Sequence, residues 1–356
     1  MGPEPFQQRW PWLGPDLQTL RDTLRPLNLP PEQGVAISLA VGPGHQAVGS
    51  SHRLLALQDL PLQGEPKAWV VLLHGLGGTS GSPGVRRLAL LLQSAGFGVW
   101  RLNLRGAGPG RALAPGTYAA RCNADLVPVM AQLRDLAAGR PLLGVGLSLG
   151  GTMLLNLLSE QPQAIDGLVT VSSPVDLAAT ASQIEQPRNR LYQRWLLRRL
   201  VAQTLADPGG LRAGERQALT QAGGLQTIRA FDAAITAPRW SYASVDHYYA
   251  EASPLAHLLS GSPGPPTLLV HAADDPWVPA AALAPLATAS SPPRLQVCIT
   301  ARGGHNGFHG IGDDRLGSWS DQLTLQWLEQ LLEQLLEQLL EQRAERLLEQ
   351  PREVAG

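Results

Sequence analysis

The sequence predicts an α/β fold in which a mostly parallel central sheet carries helices on both faces. Short apolar runs typical of buried strands alternate with segments of helical spacing, which is the pattern of βαβ units. One long interruption, residues 176–262, is rich in Arg and Gln and shows no clear strand, so we expect a helical cap inserted between two strands. The strands are expected at residues 34–41, 53–58, 69–73, 98–104, 141–145, 167–172, 267–271 and 295–300.

The elements follow one another as a parallel sheet requires. The run 69–73 leads into a glycine-rich segment, and apolar residues at helical spacing follow it from Val85 to Leu92. The run 98–104 leads into a second glycine-containing loop. Residues 122–138 then have helical composition despite Pro128. Strands 69–73 and 98–104 are therefore followed by segments that can cross back over the sheet, whereas 34–41 and 53–58 are expected to form an early meander.

The stretch around Ser148 is the strongest functional signal. Strand 141–145 runs into Gly146-Leu147-Ser148-Leu149-Gly150, and helix-forming residues follow from Thr152 to Leu158. A strand, a G-x-S-x-G pentapeptide and a helix in this order form the nucleophile elbow of the α/β-hydrolase fold. The turn is so tight that we expect a strained backbone at Ser148 and no room for a side chain at either glycine. An ordinary serine in a glycine-rich turn is the alternative.

Composition limits the classes of function. The 356 residues fit one large domain with an insertion, or two average domains, and 44% of them are apolar. A net charge of −1 provides no basic field, so no nucleic-acid partner is expected. Cys122 and Cys298 are too few for a disulfide framework, and their spacing suits no metal site. A reducing cytoplasm is the predicted compartment.

The N-terminal residues show no charged stretch followed by an apolar core, so the sequence predicts no signal peptide. No apolar run approaches the roughly 20 residues of a spanning helix, so no transmembrane segment is expected. Peripheral contact with a membrane is compatible with this sequence and would give access to a lipid substrate. The sequence predicts no particular oligomeric state.

Three regions differ in composition. Residues 1–33 are rich in proline and are predicted to form an arm wrapped on the domain. Residues 34–327 form the predicted hydrolase domain, with the cap at about 176–262. In the tail, residues 328–356, a Leu-Glu-Gln-Leu unit recurs every four residues from Leu328 to Gln342, which favours a helix whose leucine band drifts about 40° per repeat. We interpret this tail as an extension of the terminal helix, with a partner-binding helix as the alternative.

The elbow also predicts an acid and a histidine further along the chain. A serine hydroxyl is a poor nucleophile until an oriented base takes its proton, and in this fold the order is Ser, Asp or Glu, His. The strand 267–271 runs into a loop that contains Asp274 and Asp275. Asp275 stands three residues before Val278, the usual offset of the acid, and Asp274 is the competitor.

The predicted base is His305. The last strand, 295–300, runs into the glycine-flanked loop that contains this histidine, and such a loop can reach across the carboxyl edge of the sheet. His309 lies nearby in a poorer glycine context. A surface loop histidine is the alternative interpretation of His305.

An oxyanion needs two hydrogen-bond donors. In this fold one is the N–H of the residue after the nucleophile, here Leu149. The other comes from the loop after an early strand, where His74-Gly75-Leu76-Gly77-Gly78 stands. Leu76 is the predicted second donor, with Gly75 or Gly77 as alternatives. His74 precedes the turn and is interpreted as a residue that shapes the loop.

These motifs together resemble the α/β-hydrolase family of predicted esterases and lipases that includes the plant embryogenesis-associated hydrolase and the animal α/β-hydrolase-domain lipases. The resemblance implies Ser148, Asp275 and His305 as the triad, no cofactor, and activity on carboxylic esters or acyl lipids. Asp16 departs from the family pattern, which carries histidine there, and this puts any role of the arm in doubt. The matching segments are residues 11–20, 74–78, 101–106, 144–151, 189–192, 227–232, 273–276 and 303–305.

The predicted cap contains Arg190, Arg194 and Arg198, which are spaced four apart and would share one helix face. A solvated face is the simpler interpretation, and a site for an anionic head group is the other. The apolar residues beside the arginines are expected to cover the acyl chain of a substrate, and they are Leu191, Trp195, Leu196, Leu197 and Leu200.

We therefore predict a serine hydrolase that cleaves carboxylic esters, as an esterase or as a lipase-like enzyme acting on acylglycerols or phospholipids. Its partner is a small-molecule or lipid ester. An acyltransferase or thioesterase is one alternative, because the same triad serves either reaction. A catalytically idle scaffold whose tail binds a partner is the other.

Overall fold

In a computed structural model, the described residues are 5–42, 52–220, 224–262, 264–288, 294–313 and 317–349. Within these ranges one sheet of eight strands forms the centre of the molecule, in the order β1-β2-β4-β3-β5-β6-β7-β8. The strands are β1 (Val35–Val41), β2 (His52–Asp59), β3 (Trp69–Leu73), β4 (Gly98–Asn103), β5 (Leu142–Leu147), β6 (Gly167–Val171), β7 (Thr267–Ala272) and β8 (Leu295–Thr300).

The sheet is parallel from β4 to β8. At one edge β1 and β2 form an antiparallel pair, and β2 joins the sheet antiparallel to β4. Because the other strands run the same way, their carboxyl ends meet at one edge, where the ligands of open α/β sheets bind. The predicted fold class, a mostly parallel sheet with helices, is confirmed.

Helices lie where the sequence predicts them, around residues 85–92, 122–138 and 152–158, and Pro128 lies inside the second of these without ending it. In the described residues they are α1 (Pro15–Leu24), α2 (Pro83–Ser94), α3 (Asn123–Leu136), α4 (Leu149–Glu160), α5 (Leu177–Ile184), α6 (Arg190–Leu205), α7 (Ala213–Thr220), α8 (Ile228–Phe231), α9 (Ala237–Arg239), α10 (Val245–Glu251), α11 (Leu255–Leu259), α12 (Ala284–Thr288) and α13 (Trp319–Glu349).

Two apolar cores lie on opposite faces of the sheet. Side chains alternate along β3, so Val71 belongs to one core and Leu72 to the other. Helices α3 and α4 contribute to the first core, while α2 and α13 contribute to the second. With both faces covered, the central strands are buried along their whole length, as their continuous apolar runs require.

Helices α5 to α11 lie between β6 and β7, in the segment predicted as the cap. Their N-termini carry local signals. Asp176, Thr227 and Ser244 each accept a hydrogen bond from a backbone N–H in the first turn of α5, α8 and α10, respectively.

Part of the interior of the cap is charged. Arg239 pairs with Asp207 and Glu215, and all three side chains are buried.

The leucine repeats begin inside the folded body. Helix α13 runs without a break across the boundary predicted at residue 328, and Leu328, Leu331 and Leu332 are buried in the second core. The band then drifts away, and Leu340 is 67% exposed. Residues 350–356, the end of the predicted tail, lie outside the described residues. Among the helices in the described part of the chain, none is long and apolar enough to cross a membrane.

Candidate active site

Ser148 lies in the sharp turn between β5 and α4, with φ 53° and ψ −127°. This backbone conformation is rarely adopted by residues other than glycine. A Cβ atom on Gly146 would lie 2.2 Å from the Cα atom of Gly151, and one on Gly150 would lie 2.6 Å from the carbonyl oxygen of Leu73. Both glycines are therefore required by backbone contacts, and the strain at Ser148 has the form expected of an elbow.

The structure brings Ser148, His305 and Asp275 into one hydrogen-bonded line. The Nε2 atom of His305 lies 2.9 Å from the Oγ atom of Ser148. On the other side of the ring, Nδ1 lies 2.8 Å from the Oδ2 atom of Asp275. With an ionised carboxylate as its partner, Nδ1 carries the proton, so Nε2 is free to accept one from the serine hydroxyl.

Asp275 is ionised in this setting. Its burial alone would raise the pKa of the carboxyl group, but the adjacent His305 and the hydrogen bonds outweigh burial, and the pKa lies below its usual value. Oδ1 accepts hydrogen bonds from the N–H groups of Trp277 and Val278, at 2.8 and 3.0 Å. These bonds fix the carboxylate so that its second oxygen faces the imidazole.

The competing residues are placed elsewhere. Asp274 accepts a hydrogen bond from the N–H of Gly304 at 2.9 Å, so it holds the histidine loop and does not contact the ring. His309 is buried between Asp22 and Asp313, at 3.6 and 3.8 Å. Burial lowers the pKa of His309 to about 3, so this ring stays neutral.

The N-terminal arm holds the histidine loop. The Thr19 hydroxyl accepts a hydrogen bond from the N–H of His305 at 2.9 Å. The Gln18 side chain donates to the carbonyl of His309 and accepts from its N–H, at 2.9 and 2.7 Å. A Cβ atom on Gly304 would lie 2.5 Å from the carbonyl oxygen of Pro15, so α1 and the loop meet backbone to backbone.

Asp16, the residue that departs from the family pattern, also joins the arm to the cap. Its carboxylate pairs with Arg188 at 3.0 Å and accepts a hydrogen bond from the Tyr192 hydroxyl at 2.9 Å. Arg188 lies just before α6, and Tyr192 lies in its first turn. Asp16 therefore forms a polar contact between arm and cap.

The predicted oxyanion donors lie beside Ser148. Leu76 and Leu149 line the cavity that contains Ser148 and His305. Within the described residues, neither of their N–H groups donates a hydrogen bond to a protein acceptor. The loop passes so close that a Cβ atom on Gly75 would lie 2.9 Å from the Cβ atom of Ser148.

The loop that contains Leu76 is held from three sides. The Tyr118 hydroxyl accepts from the N–H of Gly77 at 2.6 Å, and Arg199 of the cap donates to the carbonyl of Gly77 at 2.7 Å. His74 lies 2.8 Å from the carbonyl oxygen of Gly75 through Nδ1. Burial lowers the pKa of His74 to about 4, so it serves the loop as a neutral ring.

Trp277 is a site residue that the sequence interpretation did not identify. Its ring stacks on the His305 imidazole, with ring centroids 4.4 Å apart and an interplanar angle of 28°. On another side Tyr192 of α6 packs against Trp277 at 5.3 Å. The tryptophan thus packs against the plane of the imidazole and connects it to the cap. Its position two residues after Asp275 is the one signal in the sequence.

The cavity at Ser148 is walled mostly by apolar side chains of the cap, including Leu196 and Leu200 of α6. The expectation that Trp195 covers the acyl chain is wrong. Trp195 and Leu191 do not line the cavity, and they are 46% and 77% exposed. Helix α6 turns the face with Leu196 and Leu200 inward, whereas Leu191 and Trp195, four residues apart, lie on a face that points outward.

A family model described as the alpha/beta hydrolase fold matches residues 68–310. The chain belongs to the α/β hydrolase family. It is 31% identical over 257 residues to mouse phospholipase ABHD3, covering 72% of this chain and 60% of that protein. It is 32% identical over 262 residues to the Escherichia coli K12 protein YheT, covering 72% of this chain and 75% of that one. The predicted resemblance is confirmed.

A solved structure of an esterase from Pyrococcus furiosus shares the fold. It is 14% identical to this chain, with a TM-score of 0.53, and the match covers 94% of this chain and 97% of that one. At this identity the likeness concerns the fold alone.

Proposed function

We propose that this protein is a serine hydrolase that cleaves carboxylic esters. The observation that carries the proposal is the continuous line from Ser148 through His305 to Asp275, with contacts of 2.9 and 2.8 Å. Such a line, at the carboxyl edge of this sheet and beside an apolar cavity, is suited to acyl transfer from an ester. The similarity to a mouse protein named a phospholipase supports an ester as the substrate.

In the proposed reaction the Ser148 oxygen attacks the ester carbonyl while Nε2 of His305 takes the hydroxyl proton. The negative charge that develops on the carbonyl oxygen is stabilised by the N–H groups of Leu149 and Leu76. The imidazolium then gives its proton to the departing alcohol, which leaves an acyl group on Ser148. A water molecule, deprotonated by the same imidazole, attacks the acyl-enzyme and releases the carboxylic acid.

Asp275 acts through His305. Its carboxylate keeps the proton on Nδ1 and stabilises the imidazolium that forms in each half of the reaction. Trp277 acts on the same ring by packing against one face, which limits its rotation away from Ser148. Loss of a preorganised oxyanion donor of the kind proposed for Leu149 and Leu76 typically costs about 2.7–4 kcal/mol of barrier.

The test is hydrolysis of p-nitrophenyl esters of graded acyl length by the wild-type protein and by Ser148→Ala. We expect kcat to fall roughly 10⁴-fold or more in the variant, because the nucleophile is lost. Ser159→Ala is the matched control, since Ser159 lies on the same helix and its hydroxyl bonds to the carbonyl of Asn156. Retention of more than a few per cent of activity by Ser148→Ala, at an unchanged melting temperature, would contradict the proposal.

Product analysis separates hydrolysis from transfer. In water the proposed enzyme releases the free acid. Addition of a primary alcohol or a thiol tests whether the acyl group passes to another acceptor. A product ester that dominates over the acid at modest alcohol concentration would favour the acyltransferase alternative, and faster cleavage of thioesters than of matched oxygen esters would favour the thioesterase.

A further inference from the structure

One carboxylate lies in the wall of the apolar cavity that contains Ser148. Asp232 lines this cavity and is the last residue of segment 227–232. This segment is one of those that resemble the family, and it has no part in the proposed mechanism. The Tyr249 hydroxyl donates to its Oδ2 atom at 2.8 Å. A hydrogen bond from the Thr236 side chain also favours the charged carboxylate.

These two hydroxyls do not satisfy the group. A carboxylate can accept about four hydrogen bonds, and no basic side chain in the described residues contributes to its charge balance. Its neighbours in the wall include Phe231, Tyr248 and Ile228. Burial raises the pKa of Asp232 to about 6. An incompletely paired carboxylate is unfavourable in an apolar wall, where an apolar residue would fit better.

The backbone at this position is also irregular. Residues Asp232–Thr236 form a π-helical turn between α8 and α9. Such turns are rare and occur frequently at functional sites, because the extra residue rotates the side chains that follow. Here Ile228, Phe231, Asp232 and Thr236 all line the cavity. Among the described residues that line the cavity, the irregular turn therefore begins at the one that carries a carboxylate.

We propose that Asp232 is a specificity-determining residue that accepts a hydrogen bond from a hydroxyl group of the substrate. This inference rests on the proposed ester hydrolysis at Ser148 and names its substrate class, hydroxylated esters. Both groups that already bond to Asp232 are hydroxyls, and a neutral donor brings no second charge into the apolar cavity. The hydroxyl can belong to a hydroxyacyl chain or to the alcohol, as in a monoacylglycerol.

The experiment compares kcat/KM within two matched pairs of substrates. One pair is p-nitrophenyl hexanoate and its terminally hydroxylated analogue, and the other is propyl hexanoate and monohexanoylglycerol. We expect the wild-type protein to prefer the hydroxylated member of one pair by about tenfold or more, the range of a hydrogen bond to a charged group. The pair that shows the preference identifies which side of the ester carries the hydroxyl.

Variants then assign the preference to the carboxylate. Asp232→Leu should bring the ratio within the pair close to one, and Asp232→Asn should retain part of it through its amide oxygen. Asp246→Leu is the matched control, because Asp246 is an exposed carboxylate of the same cap that does not line the cavity. Its ratio should equal that of the wild-type protein.

Each outcome decides the inference. Equal rates within both pairs for the wild-type protein would overturn it, and so would an unchanged ratio in a folded Asp232→Asn or Asp232→Leu protein. Those results would not contradict the proposed ester hydrolysis, because the unsubstituted esters are still cleaved. Failure to cleave any ester would overturn the proposed function and this inference with it.

Discussion

The hydroxyl of Thr19 accepts a hydrogen bond from the backbone N–H of His305 at 2.9 Å, across 286 residues of sequence. The same hydroxyl donates to the carbonyl of Pro15 at 2.7 Å, so its direction is fixed within α1. The arm thereby sets the position of the loop that carries the proposed base. Its contact is with the backbone, which leaves the imidazole free to face Ser148 and Asp275.

Removal of this contact should slow catalysis. In Thr19→Val the N–H of His305 loses its acceptor and the loop loses a fixed point, so we expect kcat to fall roughly 10- to 100-fold with little change in KM. Displacement of the base affects the chemical step, whereas substrate binding depends on the cavity. Steady-state kinetics on one p-nitrophenyl ester measures both constants.

Thr19→Ser is the control for this prediction, since it keeps the hydroxyl and should keep most of the activity. A Thr19→Val protein with wild-type kcat would show that the loop holds its position without the arm. A loss in Thr19→Ser without a loss in Thr19→Val, which keeps the methyl group, would point to packing of the methyl group instead of the hydrogen bond.

Substitution by asparagine should affect kcat differently at Asp275 and at Asp274. Asp275→Asn removes the charge beside His305 and favours the wrong tautomer, so kcat should fall by about 10⁴. Asp274→Asn keeps an amide oxygen that can accept from the N–H of Gly304, so its effect should be below tenfold. Rates measured side by side on one ester give the ranking, and the reverse order would assign the role to Asp274.

Much of this site could be predicted from sequence because its signals are local. The pentapeptide itself marks the elbow, and Gly146 must be glycine because of Gly151 in the same turn. Gly150 is also required by the carbonyl of Leu73 on the neighbouring strand. Continuous apolar runs mark the central strands, since both faces of the sheet are covered. The chain order of the proposed triad follows from the order of the strands that lead to Ser148, Asp275 and His305.

The remainder depends on contacts between distant segments. Nothing local to Gln18 indicates that its side chain bonds to residue 309, because that contact spans 291 residues. The stacking of Trp277 on the imidazole depends on where two loops meet. For α6, spacing identifies apolar residues but cannot tell which face covers the cavity, and so Trp195 was assigned to the wrong side.

Acyl length should affect catalytic efficiency through the cavity. Each methylene that the cavity buries contributes about 0.8 kcal/mol, or roughly fourfold in kcat/KM, so efficiency should rise over the first several carbons. Leu200→Phe would fill part of the cavity and should flatten this rise, with the smallest effect on acetate esters. Trp195→Ala is the control, because Trp195 lies outside the cavity, and its length profile should match that of the wild-type protein.

A series of p-nitrophenyl esters measures the profile for all three proteins. Efficiency that declines steadily from acetate in the wild-type protein would show that the cap restricts the acyl chain. A flattened profile in Trp195→Ala with a normal profile in Leu200→Phe would reverse the assignment of the two faces of α6.

Acid should destabilise the fold in part through His309. Burial lowers its pKa to about 3, while the unfolded chain titrates near the ordinary value of 6.5. Below pH 6.5 the unfolded state binds the extra proton, so the free energy of unfolding falls as pH decreases towards 3. The contribution is at most about 1.4 kcal/mol per pH unit. Asp313, whose carboxylate lies 3.8 Å from the His309 ring, has the opposite effect on the free energy of unfolding, because burial raises the pKa of its carboxyl group to about 6.

The test is therefore made on the difference between variants. In urea titrations at pH 7, 6, 5 and 4, His309→Gln should lose less stability with falling pH than the wild-type protein does. His247→Gln, at an exposed position in the cap, is the control and should follow the wild-type curve. Parallel curves for wild type and His309→Gln would show that this buried histidine is not a source of acid sensitivity.

Covalent labelling by a fluorophosphonate probe tests the central claim most directly, because only an activated serine reacts. After incubation of the full-length protein with the probe, intact-mass spectrometry should show a single adduct, and peptide mapping should place it on Ser148. The adduct should be absent from Ser148→Ala and should form more slowly in His305→Ala. A wild-type protein that remains unlabelled, or an equal adduct in Ser148→Ala, would contradict the assignment of Ser148 as the nucleophile.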